Sequence, residues 1–213
     1  LISVIICSIK LKVIDTLIII DGNSLANTSF YGVPLLTNSK GVYTNAVYGF
    51  INMMLGFFKK QEPMYAAVAF DVSKKVFRHE KYADYKGTRK GMPEELAEQM
   101  PILKEILRSM NIAILEKEGY EADDIIGTVV KKAEENNIAS IILTGDKDSL
   151  QLISELTEVY LTKKGISQTQ KMDLAALAEE YGLNPAQICD LKGLMGDSSD
   201  NIPGVVGVGE KTA

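Results

Sequence analysis

Nine carboxylates stand where a folded chain could gather them: Asp21, Asp71, Asp146 and Asp148 just after apolar runs, Glu121, Asp123 and Asp124 within four residues, and Asp197 and Asp200 near the end. Unit charges of one sign ~4 Å apart repel by about 4 kcal/mol at an intermediate dielectric, so only bound cations make such a gathering tolerable. Oxygen donors without His or Cys favour Mg²⁺ or Mn²⁺ over zinc. Two such ions ~3.5–4 Å apart would activate a water and stabilise the leaving oxygen of a phosphodiester. A single acid at a helix start merely complements the macrodipole. Three in the stretch Glu121-Ala122-Asp123-Asp124 exceed that task. Glu121 and Asp124, three apart, share a helix face there, with Asp123 pointing to a flank.

Other chemistries drop out. One histidine, His79, makes neither a histidine-rich metal site nor a serine-type triad. Cys7 and Cys189 lie far apart in a chain without a secretory signature, which reads as reduced thiols in a cytoplasmic protein. The apolar start, Leu1 to Ile9, is broken by Lys10, Lys12 and Asp15 and falls short of a membrane span, so no membrane partner is expected and residues 1–16 stay unassigned. A phosphatase of the haloacid dehalogenase type needs a second Asp two residues after the first, and Asn23 stands there.

The formal charge of −5 hides a polar distribution. Residues 72–91 carry Lys74, Lys75, Arg78, Lys81, Lys86, Arg89 and Lys90 against Glu80 and Asp84, a net +5 that leaves −10 for the rest. A basic segment in an acidic body implies one site for an anion and one for a cation. Phe77, Tyr82 and Tyr85 interleave with these cations, a mixture that suits single-stranded or splayed nucleic acid, because bases stack on rings while Lys and Arg hold phosphates.

The elements that must position these groups follow from pattern. Leu17–Ile20, Ala66–Phe70 and Ser140–Thr144 are apolar, strand-like runs, each ending in or just before an acid. Asp21-Gly22-Asn23-Ser24 reads as a loop. Helical patterns occupy about 44–60, 94–110 and 121–136, with two shorter ones at Asp173–Tyr181 and Pro185–Met195. At 46% apolar and 24% charged, the 213 residues suffice for one α/β core. Strands alternating with helices predict a mainly parallel central sheet flanked by helices, whose strand carboxyl ends share the edge where ligands bind. The stretch 72–93 lacks apolar periodicity and is predicted to be a long functional excursion. Gly204, Gly207 and Gly209 precede what looks like a helix start, where exposed N–H groups could hold a phosphate.

Taken together, Ile-Asp-Gly-Asn-Ser-Leu-Ala at 20–26, Phe-Asp at 70–71, Phe-Arg-His-Glu at 77–80, Tyr-Lys-Gly-Thr-Arg at 85–89, Gly-Tyr-Glu-Ala-Asp-Asp at 119–124, Gly-Asp-Lys-Asp at 145–148 and Gly-Leu-Met-Gly-Asp-Ser-Ser-Asp-Asn-Ile-Pro-Gly-Val at 193–205 resemble the 5′-3′ exonuclease domains of bacterial DNA polymerase I, in the 5′ nuclease family that includes flap endonucleases. The resemblance implies a PIN-like α/β nuclease domain over 17–181, with a basic arch at about 72–93. Over 182–213 it implies the start of a helix-hairpin-helix module that grips duplex DNA through Gly204, Gly207, Gly209 and Lys211, often with K⁺. It further implies a first metal on Asp21, Asp71, Glu121, Asp123 and Asp124, and a second on Asp146, Asp148, Asp197 and Asp200. Lys86 and Arg89 would act on the scissile phosphate, Tyr85 would stack on a base, and Arg78 and His79 would join the DNA surface. The implied partners are 5′-flap, nicked or branched duplexes, with a polymerase domain in the parent chain implied only by the resemblance and left open by the residues. Asn27-Thr28-Ser29-Phe30 departs from the family's Asn-Arg-Ala-Phe, removing one phosphate contact, and the chain stops at Ala213 inside the second helix of the module. The rival expectation is a DNA-binding fragment that has lost catalysis.

Overall fold

The computed structural model describes residues 15–73, 75–163 and 168–213; most of the unassigned N-terminal segment, Cys7 and Lys74 lie outside them. Strand β1 (Thr16–Asp21) leads directly into helix α1 (Gly22–Gly32), and α2 (Asn45–Gln61) returns the chain to β2 (Tyr65–Ala69). Then come a short α3 (Phe77–Lys81), the nearly continuous α4 (Glu94–Ala97) and α5 (Gln99–Ser109), β3 (Ala113–Leu115), α6 (Ala122–Glu135) and β4 (Ala139–Thr144). A 3₁₀ turn (Lys147–Leu152) precedes β5 (Thr157–Thr162) and β6 (Thr169–Met172). The chain closes with α7 (Leu174–Tyr181), α8 (Gln187–Met195) and a small β7–β8 hairpin, Gly196–Asp197 against Ile202–Pro203.

The six-stranded sheet runs β3-β2-β1-β4-β5-β6, parallel except for β6. Because alternate side chains leave a strand on opposite faces, β1 feeds two cores. Ile18 and Ile20 pack with Val68, Phe70, Phe50, Met54, Leu103 and Leu107 on one face. Ile19 packs with Ala69, Ile142, Ile126, Val130 and Leu177 on the other. A sheet covered on both faces needs strands that are apolar throughout, which is why Leu17–Ile20 shows no alternation. Chain order reverses between β1 and β4, so the ends of β1, β2 and β4 flank a switch point, and Asp21 pairs in register with Ala69.

One local expectation is corrected. Asp21-Gly22-Asn23-Ser24 is a helix start, not a loop: the Ser24 N–H donates to Asp21 Oδ1 at 2.9 Å, so the acid that ends β1 also caps α1. The excursion contains one helical turn and packs through Val76 and Tyr85, which are buried, while Tyr82 is exposed. Gly22 lies so close to the Phe70 ring that a Cβ there would sit 2.3 Å from it. This close approach sets β1 and β2 side by side where their acids emerge.

Candidate active site

The carboxyl edge of the sheet holds three adjoining groups of charge. The first is acid on acid. Asp21 is buried and accepts from the Ser24 N–H and, at 2.8 Å, from Thr144 Oγ1. Burial nevertheless pushes its carboxyl up to about 6, with Asp71 and Asp146 adding repulsion. Asp71, one residue past Phe70, accepts from the Ala122 N–H at 2.7 Å and so caps α6, while its own N–H donates to Asn23 Oδ1. Asp123 is raised further, to about 8, by burial and by the charges of Asp21 and Asp146, with Asp71 contributing and Lys86 opposing. Asp123 therefore belongs to the edge cluster, not to a flank. The acids on either side of it, Glu121 and Asp124, line the same cavity but are paired with cations.

Those two make the second group. Arg78 forms a fork on Asp124, both N···O distances 2.8 Å, and its Nη1 lies 3.1 Å from Glu121 Oε2. Asp124 also accepts from the Glu121 N–H. Against the cost of burial, the Arg78 fork and this N–H keep Asp124 below the usual carboxylate range. Glu121 pairs with Lys86, and Asp200 with Arg89. Tyr85 donates its hydroxyl to Glu121 and Asp200, each at 2.9 Å, and the Lys86 N–H donates to the Asp200 carbonyl. The basic excursion is thus folded down onto the acidic edge. Tyr85, expected to stack on a base, is here only 5% exposed and supports the two acids. His79 accepts from the Val76 N–H through Nδ1 and meets the Tyr85 ring edge-on.

In the third group Lys192 lies 2.7 Å from both Asp148 and Asp197. Asp146 accepts from the Asp148 N–H, completing the turn after β4. Sequence reasoning passed over Lys192 because it sits outside the basic segment. Its only signal was a cation five residues before Asp197 in a helix that also reaches the Asp146–Asp148 turn.

Among the described residues no three Asp, Glu, His or Cys side chains close on one point as a ready-made metal cage. Arg78, Lys86, Arg89 and Lys192 each draw carboxylates toward themselves instead. The donor set still fits a hard divalent cation, being all oxygen, with Asp21 and Asp123 left short of positive charge. Of the predicted tail residues, Gly204 backs onto Met195 and Gly196 in the hairpin, while Gly207, Gly209 and Lys211 are exposed in the turns after β8. Thr28 faces Thr162 across 3.4 Å.

Family models decide the relationship. The model for the 5′-3′ exonuclease N-terminal resolvase-like domain matches residues 16–182, and that for the 5′-3′ exonuclease C-terminal SAM fold matches 183–213. The chain belongs to the 5′-3′ exonuclease family. DNA polymerase I of Bacillus caldotenax is 51% identical over 197 residues, which are 92% of this chain and 22% of that protein. The chain thus spans about a fifth of the length of such relatives. The T5 5′-exonuclease with divalent zinc ions bound superposes with a TM-score of 0.74 at 25% identity, over 92% of this chain and 72% of that one. The bacteriophage T5 D15 flap endonuclease, in a complex with DNA and metal ions, gives 0.73 at 26%, over the same shares. This family membership accounts for the mainly parallel sheet, and no helix among the described residues is long and apolar enough to cross a membrane.

Proposed function

We propose that this chain is a metal-dependent 5′-3′ exonuclease and 5′ flap endonuclease that hydrolyses DNA phosphodiesters with two Mg²⁺ or Mn²⁺ ions. The observation that carries the reading is the mutual repulsion of Asp21, Asp71, Asp123 and Asp146, offset in part by Lys86, at the switch point of a parallel sheet bordered by cations of the excursion. Asp21, Asp71, Glu121, Asp123 and Asp124 are assigned to a first ion, and Asp146, Asp148, Asp197 and Asp200 to a second. When bound, the two ions supply activation of water and charge compensation at the leaving oxygen.

The chain's own residues do the rest. Lys86 and Arg89, held at the edge by Glu121 and Asp200, would exchange those carboxylates for the scissile phosphate and stabilise the charge that develops on it. Tyr85 would leave its two acids and offer its ring to a base, with Arg78 and His79 on the same DNA surface. The polypeptide is divided at about residue 182, and the exposed backbone at Gly207 and Gly209, with Gly204 and Lys211, would meet duplex phosphates, with K⁺ in the helix-hairpin-helix. A nicked, branched or flapped duplex is the partner, a polymerase domain completes the parent protein, and the compartment is the cytoplasm.

The test is incubation with a 5′-flap duplex, with Mg²⁺ and with chelator. Cleavage only with Mg²⁺ supports the reading. Binding without cleavage under both conditions would instead establish the DNA-binding fragment, which Thr28 in place of the family's arginine favours.

A further inference from the structure

Lys192 is a cation of the acidic edge that the proposed reaction does not use. It lies on α8, in the part of the chain matched by the second family model, yet one of its two partners, Asp148, belongs to the part matched by the first. Its ammonium is 2.7 Å from Asp148 Oδ1 and 2.7 Å from Asp197 Oδ2. Asp197 has little else to offer a ligand, because its Oδ1 already accepts from the Ser199 N–H, the Ser199 hydroxyl and the Asp200 N–H. Two carboxylate oxygens from separate elements converging on one nitrogen describe a position for a cation, and the protein supplies that cation itself. A hydrogen bond to Asp197 and an ion pair with Asp148 hold the ammonium between the two elements.

We propose that Lys192 is a resident counter-ion at the Asp148–Asp197 pair, which a divalent cation must displace to bind there, so that this chain takes up its second ion much more weakly than its first. The inference rests on the assignment of Asp148 and Asp197 to metal in the reading above. An ammonium and a divalent ion cannot share two oxygens, and left ~4–5 Å apart they repel strongly in a half-buried site. Lysine suits this duty because its charge is compact and its four-carbon stem can swing clear once a stronger cation arrives. The gain is an edge that stays intact before metal is bound, since Asp148 and Asp197 would otherwise face each other unpaired.

The experiment is Mn²⁺ titration of the 213-residue chain, reading free Mn²⁺ by its paramagnetic resonance, on the wild type, Lys192→Met and Lys192→Arg, with thermal unfolding of each in chelator and in saturating Mn²⁺. The methionine keeps the stem's packing and removes the charge. It is expected to tighten the second ion by about tenfold or more, leave the first unchanged, melt earlier in chelator and recover in Mn²⁺. Lys192→Arg, which restores a cation, is expected to return the second affinity toward the wild-type value. A lysine that merely glued α8 to the sheet would lower the melting temperature in both conditions without moving the second affinity, and that result overturns the proposal. A second ion bound more weakly by Lys192→Met, or none at all, overturns it too. In that event the first ion tells the two ideas apart: its uptake by the wild type leaves the nuclease reading standing, and its absence removes both.

Discussion

Asp123 and Lys86 carry the sharpest expectations at the scale of single residues. Asp123 is set against the charges of Asp21, Asp146 and Asp71, with Lys86 opposing them in part, so its carboxylate is in need of a cation. Asp123→Ala is expected to abolish flap cleavage while leaving flap binding largely intact, because it removes a cation ligand and none of the surface that holds phosphate. Undiminished cleavage would remove Asp123 from the first ion. For Lys86→Ala and Arg89→Ala the expected loss is in turnover more than affinity, on the order of 10²-fold in single-turnover rate, since a contact that strengthens in the transition state appears in the rate constant. Lys75, exposed on the same excursion, should weaken binding modestly and reduce its salt dependence. If Lys75→Ala and Lys86→Ala behave alike, with normal single-turnover rates at saturating enzyme, the excursion only attracts DNA.

At the scale of elements, the C-terminal hairpin decides whether Asp197 and Asp200 reach the sheet at all. Gly196 has φ +75°, and a Cβ on it would stand 2.3 Å from the Gly204 backbone nitrogen and 2.6 Å from the Ile202 carbonyl oxygen. A side chain is therefore excluded twice, by conformation and by space. Gly196→Ala is expected to cost about 1–3 kcal/mol of stability and to open the hairpin. Measured by denaturant unfolding and by Mn²⁺ uptake, the variant should lose affinity at the second ion and keep the first. A variant as stable as the wild type would mean that the hairpin is looser than its geometry.

For the whole molecule, stability should depend jointly on pH and divalent cation. Asp21 and Asp123 have carboxyls raised from 3.8 to about 6 and about 8 in the folded chain. Between those values the folded state holds more protons than the unfolded one, so stability that is full below the unfolded pKa is lost as pH rises through about 6 and then about 8. Asp197, held down to about 2 against burial by Lys192 and Ser199, has the opposite sign, and its contribution is lost only as pH falls that far. In chelator the melting temperature should therefore fall from pH ~4 to ~8, and Mg²⁺ should raise it more at the upper end, where the acids are ionised and no proton competes. Differential scanning calorimetry checks this, and a Mg²⁺ effect independent of pH would show that the raised acids are not the ones it meets.

The acids were legible in the sequence because strand ends are. A buried parallel strand must be apolar throughout, so the first charge after Leu17–Ile20, Ala66–Phe70 or Ser140–Thr144 marks the edge where a ligand can bind. What the sequence left open were pairings between distant residues. The short β3 and the polar alternation of β5 and β6 gave no comparable apolar run, and those strands exist because a neighbour offers its hydrogen bonds. Thr44 does not cap α2; Gln99, more than fifty residues away, accepts from the Ala46 and Val47 N–H groups instead. Helical spacing put Glu121 and Asp124 on one face and Asp123 on a flank, and only tertiary packing decided which face meets the sheet edge. Arg78 claims Asp124, Lys86 claims Glu121, and Asp123 is left with Asp21 and Asp146. Composition along the chain determined that acids and cations would be set against each other; which cation meets which acid is a matter of distance in the fold, because a charge in a half-buried site answers to its nearest partner.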